Sequence, residues 1–177
     1  MTLTTGKTAI PFTLPGVDGK KHSLADYGKQ EAVVLAFTCN HCPYAQAWEG
    51  RLIQAQADYA KKGVQVLAIS SNDPVAFPAD DFDHMKQRAK EKGYNYPYLF
   101  DESQAVAKAY GAARTPEIFV FDKMGVLRYH GVVDDNHENP GAVQHLYLRD
   151  ALDAVLAGRA PAVADTPPKG CTIKWKK

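Results

Sequence analysis

An apolar run, Ala32-Val33-Val34-Leu35-Ala36-Phe37, stops at Cys39-Asn40-His41-Cys42, and Pro43 follows at once. A nearly continuous apolar run of that length reads as a strand buried on both faces. Proline belongs in the first turn of a helix and not deeper. The sequence after it, Tyr44 to Lys62, fits a helix with Trp48, Leu52, Ile53 and Tyr59 among its apolar positions. It ends at Lys61-Lys62-Gly63, a basic last turn with a C-cap glycine. Two thiols therefore fall at a strand-to-helix junction. They can close a small disulfide or hold a metal; the flanking elements favour the disulfide.

With 177 residues the chain is expected to form one domain and bury a core without staples. A formal net charge of +1 points to neither nucleic acid nor an anionic membrane. No apolar stretch approaches the ~20 residues of a membrane span. The Thr-rich Met1–Ile10 lacks the apolar core of a signal peptide, so a cytoplasmic location is expected. Three cysteines, Cys39, Cys42 and Cys171, are too few for a disulfide scaffold. The paired ones are expected to react or bind metal rather than staple.

Asp18-Gly19 between short alternating stretches marks a hairpin. Val64–Ser70 reads as the next buried strand, Asp80–Lys92 as a polar helix closed by Gly93, and Tyr96–Phe100 as an edge or irregular strand because of Pro97. Ser103 is expected to cap a short helix ending at Tyr110. Glu117–Asp122 and Val126–Val133 form a hairpin around Lys123-Met124-Gly125, and Gly141–Gly158 holds a last helix. The expected fold is α/β, a central mixed sheet flanked by helices, with an N-terminal β-hairpin. Residues 1–158 would be the domain and 159–177 a C-terminal tail.

Chemistry in open α/β sheets lies at the carboxyl ends of the strands, where this arrangement puts the dithiol. Free N–H groups at a helix N-terminus favour an anion. They are expected to lower the Cys39 pKa, leaving Cys42, one turn in, less acidic. Cys39 would attack a disulfide and Cys42 resolve the mixed disulfide. His41 would favour the Cys39 thiolate and make the pair more oxidising. Thr115-Pro116 leads directly into a strand; a cis bond there would hold the Thr115 backbone toward an extended substrate and keep metals from the sulfurs.

Phe37-Thr-Cys-Asn-His-Cys-Pro43, Arg114-Thr-Pro-Glu-Ile-Phe-Val-Phe-Asp122 and Pro11-Phe-Thr-Leu-Pro resemble the thioredoxin-like superfamily. The resemblance covers about residues 8–157 and is nearest its redoxin, or alkyl hydroperoxide reductase–thiol-specific antioxidant, branch. It implies Cys39 as nucleophile, Cys42 as resolving thiol and Pro116 as a cis-proline. Gly170-Cys-Thr-Ile-Lys-Trp175 is similar to the tail of a peroxiredoxin-like subgroup sharing Cys-Asn-His-Cys-Pro. Where thioredoxin carries a buried Asp, this chain has Val33. Where peroxiredoxins carry Pro, Thr and Arg, it has Ala32, Ala36 and Pro116, with Arg114 near the last.

The resemblance thus implies a thiol-disulfide oxidoreductase acting on protein or small-molecule thiols and disulfides. A peroxiredoxin-like peroxidase, with Cys42 or Cys171 resolving a sulfenic acid at Cys39, is the alternative. Metal binding by Cys39 and Cys42 with Cys171, His137 or His145 is a third reading. There is no Gly-rich phosphate loop, and no cofactor is expected. Cys171 is either a plain tail thiol or an accessory redox thiol that folds back on the pair.

Overall fold

In the computed structural model, which describes residues 1–177, the apolar run is strand β3, Ala32–Thr38, buried along its whole length. Before it, β1 (Thr13–Pro15) and β2 (Lys21–Ser23) form the expected antiparallel hairpin. The Asp18 carboxylate accepts the Lys20 N–H at 3.0 Å, and Gly19 takes the φ of +80° that the tight turn requires. Beyond β3 lie β4 (Val64–Ser70), β5 (Tyr98–Phe100), β7 (Glu117–Asp122) and β8 (Leu127–Gly131). The central sheet has the order β5-β4-β3-β7-β8. β3, β4 and β5 are parallel, whereas β7 and β8 run antiparallel.

Alternation along β3 divides the core. Ala32, Val34 and Ala36 join one apolar layer with Trp48 and Leu52 of α1 (Pro43–Tyr59) and Leu148 and Leu152 of α4 (Tyr147–Leu156). Val33, Leu35 and Phe37 join the other with Phe12, Ala107 and Tyr110 of α3 (Ala105–Tyr110), and Ile173. Helices on both faces leave only the carboxyl ends of the parallel strands open for chemistry. No helix is long and apolar enough to cross a membrane.

The helix after Pro43 ends at Tyr59, with a 3-10 turn over Ala60–Lys62, β5 starts at Tyr98 rather than Tyr96, and β8 covers Leu127–Gly131 rather than Val126–Val133. Three further expectations change. Helix α2 is Phe82–Lys92, not Asp80–Lys92, because Asp81 is its N-cap and accepts the His84 N–H. Asp80 instead closes a 3-10 turn, Pro78–Asp80, and is buried. Gln104, not Ser103, holds the N-cap position of α3; Ser103 Oγ accepts the Ala105 N–H at 3.3 Å, and the Asp101 carboxylate accepts those of Val106 and Ala107 at 3.2 and 2.9 Å. Helix α4 begins only at Tyr147, since Pro140-Gly141-Ala142 form a 3-10 turn and Val143 is extended.

The last residues lie against the sheet. Ala164 and Thr166 pair with His130 at the edge strand β8. Gly131 makes this approach possible: a Cβ there would sit 1.9 Å from Thr166 Oγ1. The chain then crosses the carboxyl ends of the strands and forms β9 (Cys171–Thr172), antiparallel to β6 (Arg114–Thr115).

Candidate active site

Cys39 directly follows β3, and Cys42 is the N-cap of α1, with Pro43 at the first helical position. Both are free thiols, exposed by only 2% and 0%. They meet one residue from the opposite strand segment. Cys42 Sγ lies 3.3 Å from the Thr115 carbonyl oxygen, and Cys39 Sγ lies 3.6 Å from the Thr115 hydroxyl. The Thr115–Pro116 bond is cis. The sequence-expected residues Cys39, Cys42, Thr115 and Pro116 are thus brought together, and Cys171 joins them by packing against Cys39, Cys42 and Ala45.

The order of acidity differs from the sequence expectation. Hydrogen-bond donors converge on Cys42: the Cys39 S–H first, outweighing burial, then Cys171, Thr115 and the Ala45 N–H, holding Cys42 down to about 4. Giving its hydrogen to Cys42 raises the Cys39 pKa, and burial and the nearby Asp80 raise it further. The two sulfurs titrate as one coupled pair, with the donors gathered around Cys42. Burial and the hydrogen bond to Cys42 push Cys171 up to about 11.

Sequence reasoning missed the group that holds the Cys39–Cys42 loop. Asp80 is fully buried. It accepts from the Asn40 backbone N–H at 2.7 Å, from Asn72 Nδ2 at 2.9 Å and from His41 Nδ1. Asn40 is also fixed, its side-chain oxygen accepting from the Tyr98 hydroxyl at 2.7 Å and its amide donating to the Ala79 carbonyl at 2.9 Å. A buried carboxylate with this many donors is compensated rather than costly. His41 stacks flat on Phe77 at 5.7 Å. Its Nδ1 is committed to Asp80 rather than to the sulfur, although Cys39, His41 and Asp80 present ligand atoms within 4.8 Å of one another.

The histidines proposed as metal partners lie elsewhere. His137 stacks on Tyr44 at 4.3 Å in a loop that Arg51 pins through Asp134, and His145 stacks on Tyr147. Val33 faces the second apolar layer, so no acid replaces thioredoxin's buried Asp there. The nearest buried acid on the other strand is Glu117. It accepts the Ala113 N–H and lies 3.5 Å from His130 Nε2, whose Nδ1 reaches Asp165 of the C-terminal segment at 2.7 Å. Burial pulls His130 down, but Glu117 and Asp165 outweigh it and hold its pKa above the ordinary value.

Against known proteins, residues 5–130 match the AhpC/TSA family. The thiol-disulfide oxidoreductase ResA of Geobacillus thermodenitrificans is 28% identical over 123 residues, 70% of this chain and 66% of ResA. The chain thus spans just under two thirds of ResA's length. A putative peroxiredoxin of Mycobacterium tuberculosis is also 28% identical, over 76% of this chain and 80% of that protein. Among solved structures, a hypothetical protein of Sinorhizobium meliloti 1021 superposes with a TM-score of 0.93 at 41% identity, covering 99% of this chain and 97% of that one. A putative thioredoxin of Neisseria meningitidis does so at 0.67 and 24% identity, covering 87% and 91%, so the fold is thioredoxin-like. The chain belongs to the AhpC/TSA family.

Proposed function

From AhpC/TSA membership and the thiols gathered at Thr115, we propose that this chain is a thiol-disulfide oxidoreductase whose Cys39 and Cys42 alternate between dithiol and disulfide. One observation carries the reading. Two buried thiols at the end of β3 and the start of α1 converge on Thr115, the residue before Pro116. The substrates are disulfides or thiols of proteins or small molecules.

The chemistry starts with the proton moving from Cys39 to Cys42 along the hydrogen bond that joins them. The Cys39 thiolate attacks the partner disulfide, a mixed disulfide forms, and the partner's leaving thiolate departs. Cys42 loses its proton to that leaving thiolate. The Thr115 hydroxyl, the Ala45 N–H and Cys171 remain around Cys42 to stabilise its thiolate, supplying what an acid at Val33 would otherwise do. Cys42 then attacks Cys39 Sγ, closing the protein disulfide and freeing the second partner sulfur as a thiolate, which takes its proton from solvent. Electrons pass from the protein dithiol to the partner, and every step reverses when the partner is the reductant.

The test is reduction of insulin by a dithiol-driven cycle, together with reactivation of scrambled ribonuclease. The expected result is turnover in one direction, lost to background in Cys39→Ser. Absence of turnover in both assays contradicts the reading.

A peroxidase reading has the family and the mycobacterial relative in its favour. Against it, Ala32 and Ala36 bring no polar group, and Pro116 occupies the place of the arginine. Peroxide consumption no faster than by free cysteine removes this reading.

A further inference from the structure

Residues 170–174 lie where an extended partner chain would have to lie. Cys171 is directly opposite Thr115 in the β6–β9 ladder. Thr115 is the residue whose carbonyl and hydroxyl touch Cys42 and Cys39. The segment is anchored on its far side. Ile173, 3% exposed, is buried in the second apolar layer, and its N–H donates to the Ala113 carbonyl at 2.9 Å. The Lys174 N–H donates to Asn72 Oδ1 at 2.9 Å, and the Lys174 carbonyl accepts the Asp73 N–H at 2.8 Å. On the near side the fit is so close that a Cβ on Gly170 would fall 2.0 Å from the Thr115 oxygen. Seated this way, Cys171 packs against the two active thiols and, unlike them, is only half-buried.

We propose that Cys171 is a third exchange thiol, held on Thr115 as an internal substrate, which forms a disulfide with Cys42 and carries redox equivalents between the buried pair and the surface. The proposal rests on the dithiol reading above. With Cys39–Cys42 oxidised, Cys171 gives up its proton and attacks Cys42 Sγ. The Cys42–Cys171 bond forms, the Cys39–Cys42 bond breaks, and Cys39 leaves as a thiolate that takes up the proton. No electrons are gained or lost. A partner thiol then attacks the half-buried Cys171 sulfur and releases the Cys42 thiolate, the better leaving group because it is the more acidic. A second partner thiol resolves the mixed disulfide at Cys171, so a partner dithiol ends as a disulfide and the protein is reduced by two electrons. Run in reverse, the same relay oxidises the pair.

The experiment is disulfide mapping of the full chain. Reduced wild type and Cys39→Ser are treated with one equivalent of diamide, acid-quenched, alkylated and digested without reductant for mass spectrometry. The wild type is expected to give both Cys39–Cys42 and Cys42–Cys171 links. Cys39→Ser is expected to give Cys42–Cys171 as its main product. Gly170→Val, which cannot seat the segment on Thr115, is expected to lower the Cys42–Cys171 yield at least tenfold and to speed alkylation of Cys39 and Cys42. Cys171 fully alkylated in both wild type and Cys39→Ser overturns the proposal, as does a link yield unchanged in Gly170→Val. A Cys42–Cys171 link in Cys39→Ser with no Cys39–Cys42 link in wild type would sink the dithiol reading and the relay with it, whereas a Cys39–Cys42 link in wild type with Cys171 alkylated in both proteins overturns the relay alone.

Discussion

The dithiol is held from two sides that differ in kind. On one side Asp80, Asn40, Asn72 and Tyr98 form a buried network in which each donor has its acceptor. On the other, Gly170 to Lys174 holds an edge strand of two paired residues, anchored by the buried Ile173 side chain and by hydrogen bonds from the backbone and from Asn72, Gln104 and Arg114. A satisfied buried network is rigid and costly to disturb. A strand of two paired residues opens at lower cost than such a network. The difference teaches from which side a partner would approach: the Asp80 side is held by a buried network, the Gly170–Lys174 side by one short strand. The two sides meet at Asn72, which donates to Asp80 and accepts the Lys174 N–H, and at Phe77, which lies between His41 and Lys174.

Breaking the fixed side should cost most. Asp80→Ala leaves the Asn40 N–H, Asn72 and His41 without their acceptor, and a loss of about 3 kcal/mol is expected in denaturant unfolding. Unfolding unchanged within about 0.5 kcal/mol would mean that water replaces the carboxylate, and the contrast between the sides would fail. Ile173→Ala attacks the anchor of the cover. Removing a side chain buried in the second apolar layer should cost about 2 kcal/mol and raise amide exchange from residue 170 onward, with β3 still protected. Exchange that rises equally in β3 would show that cover and sheet open together.

The smallest effect concerns pH. Because His130 has a raised folded pKa, its charged pairing with Glu117 and Asp165 adds stability in full below the unfolded value of 6.5. That contribution is lost as pH rises through the folded value. The stability gap between wild type and His130→Gln should therefore shrink as pH rises above 6.5. A gap that widens over that range reverses the sign and excludes the ion pairs as its source.

Much of this was legible in the residues. The run before Cys39 is apolar at every position and could only be a strand buried on both faces; Pro43 could only open a helix. Glu117–Asp122 is a strand with the bounds its pattern suggests. What stayed hidden depends on contacts far along the chain. Asp80 sits beside Asp81, and composition does not reveal which one caps α2 and which is buried under Asn40. The α4 start was misplaced because Leu146 looks periodic, while Pro140-Gly141 forms a 3-10 turn and Val143 holds the following chain extended. Reading Cys39 as the acidic thiol followed from helix geometry alone; the donors brought to Cys42 by Thr115 and Cys171 come from residues more than 70 positions away. The tail motif was visible, but its seat on Thr115 was not, because a two-residue strand has no periodicity to read.

The central claim is that Cys39 and Cys42 act as one two-electron unit. Equilibrating the full chain with glutathione redox buffers, quenching with acid and counting free Cys39 and Cys42 by mass spectrometry tests it directly. In Cys171→Ser, which removes the competing Cys42–Cys171 link, both thiols are expected to disappear together along a single two-electron curve, tenfold in the equilibrium constant for each ~30 mV. Cys39 and Cys42 that stay alkylatable at every ratio, or that titrate separately as glutathione adducts, would contradict it.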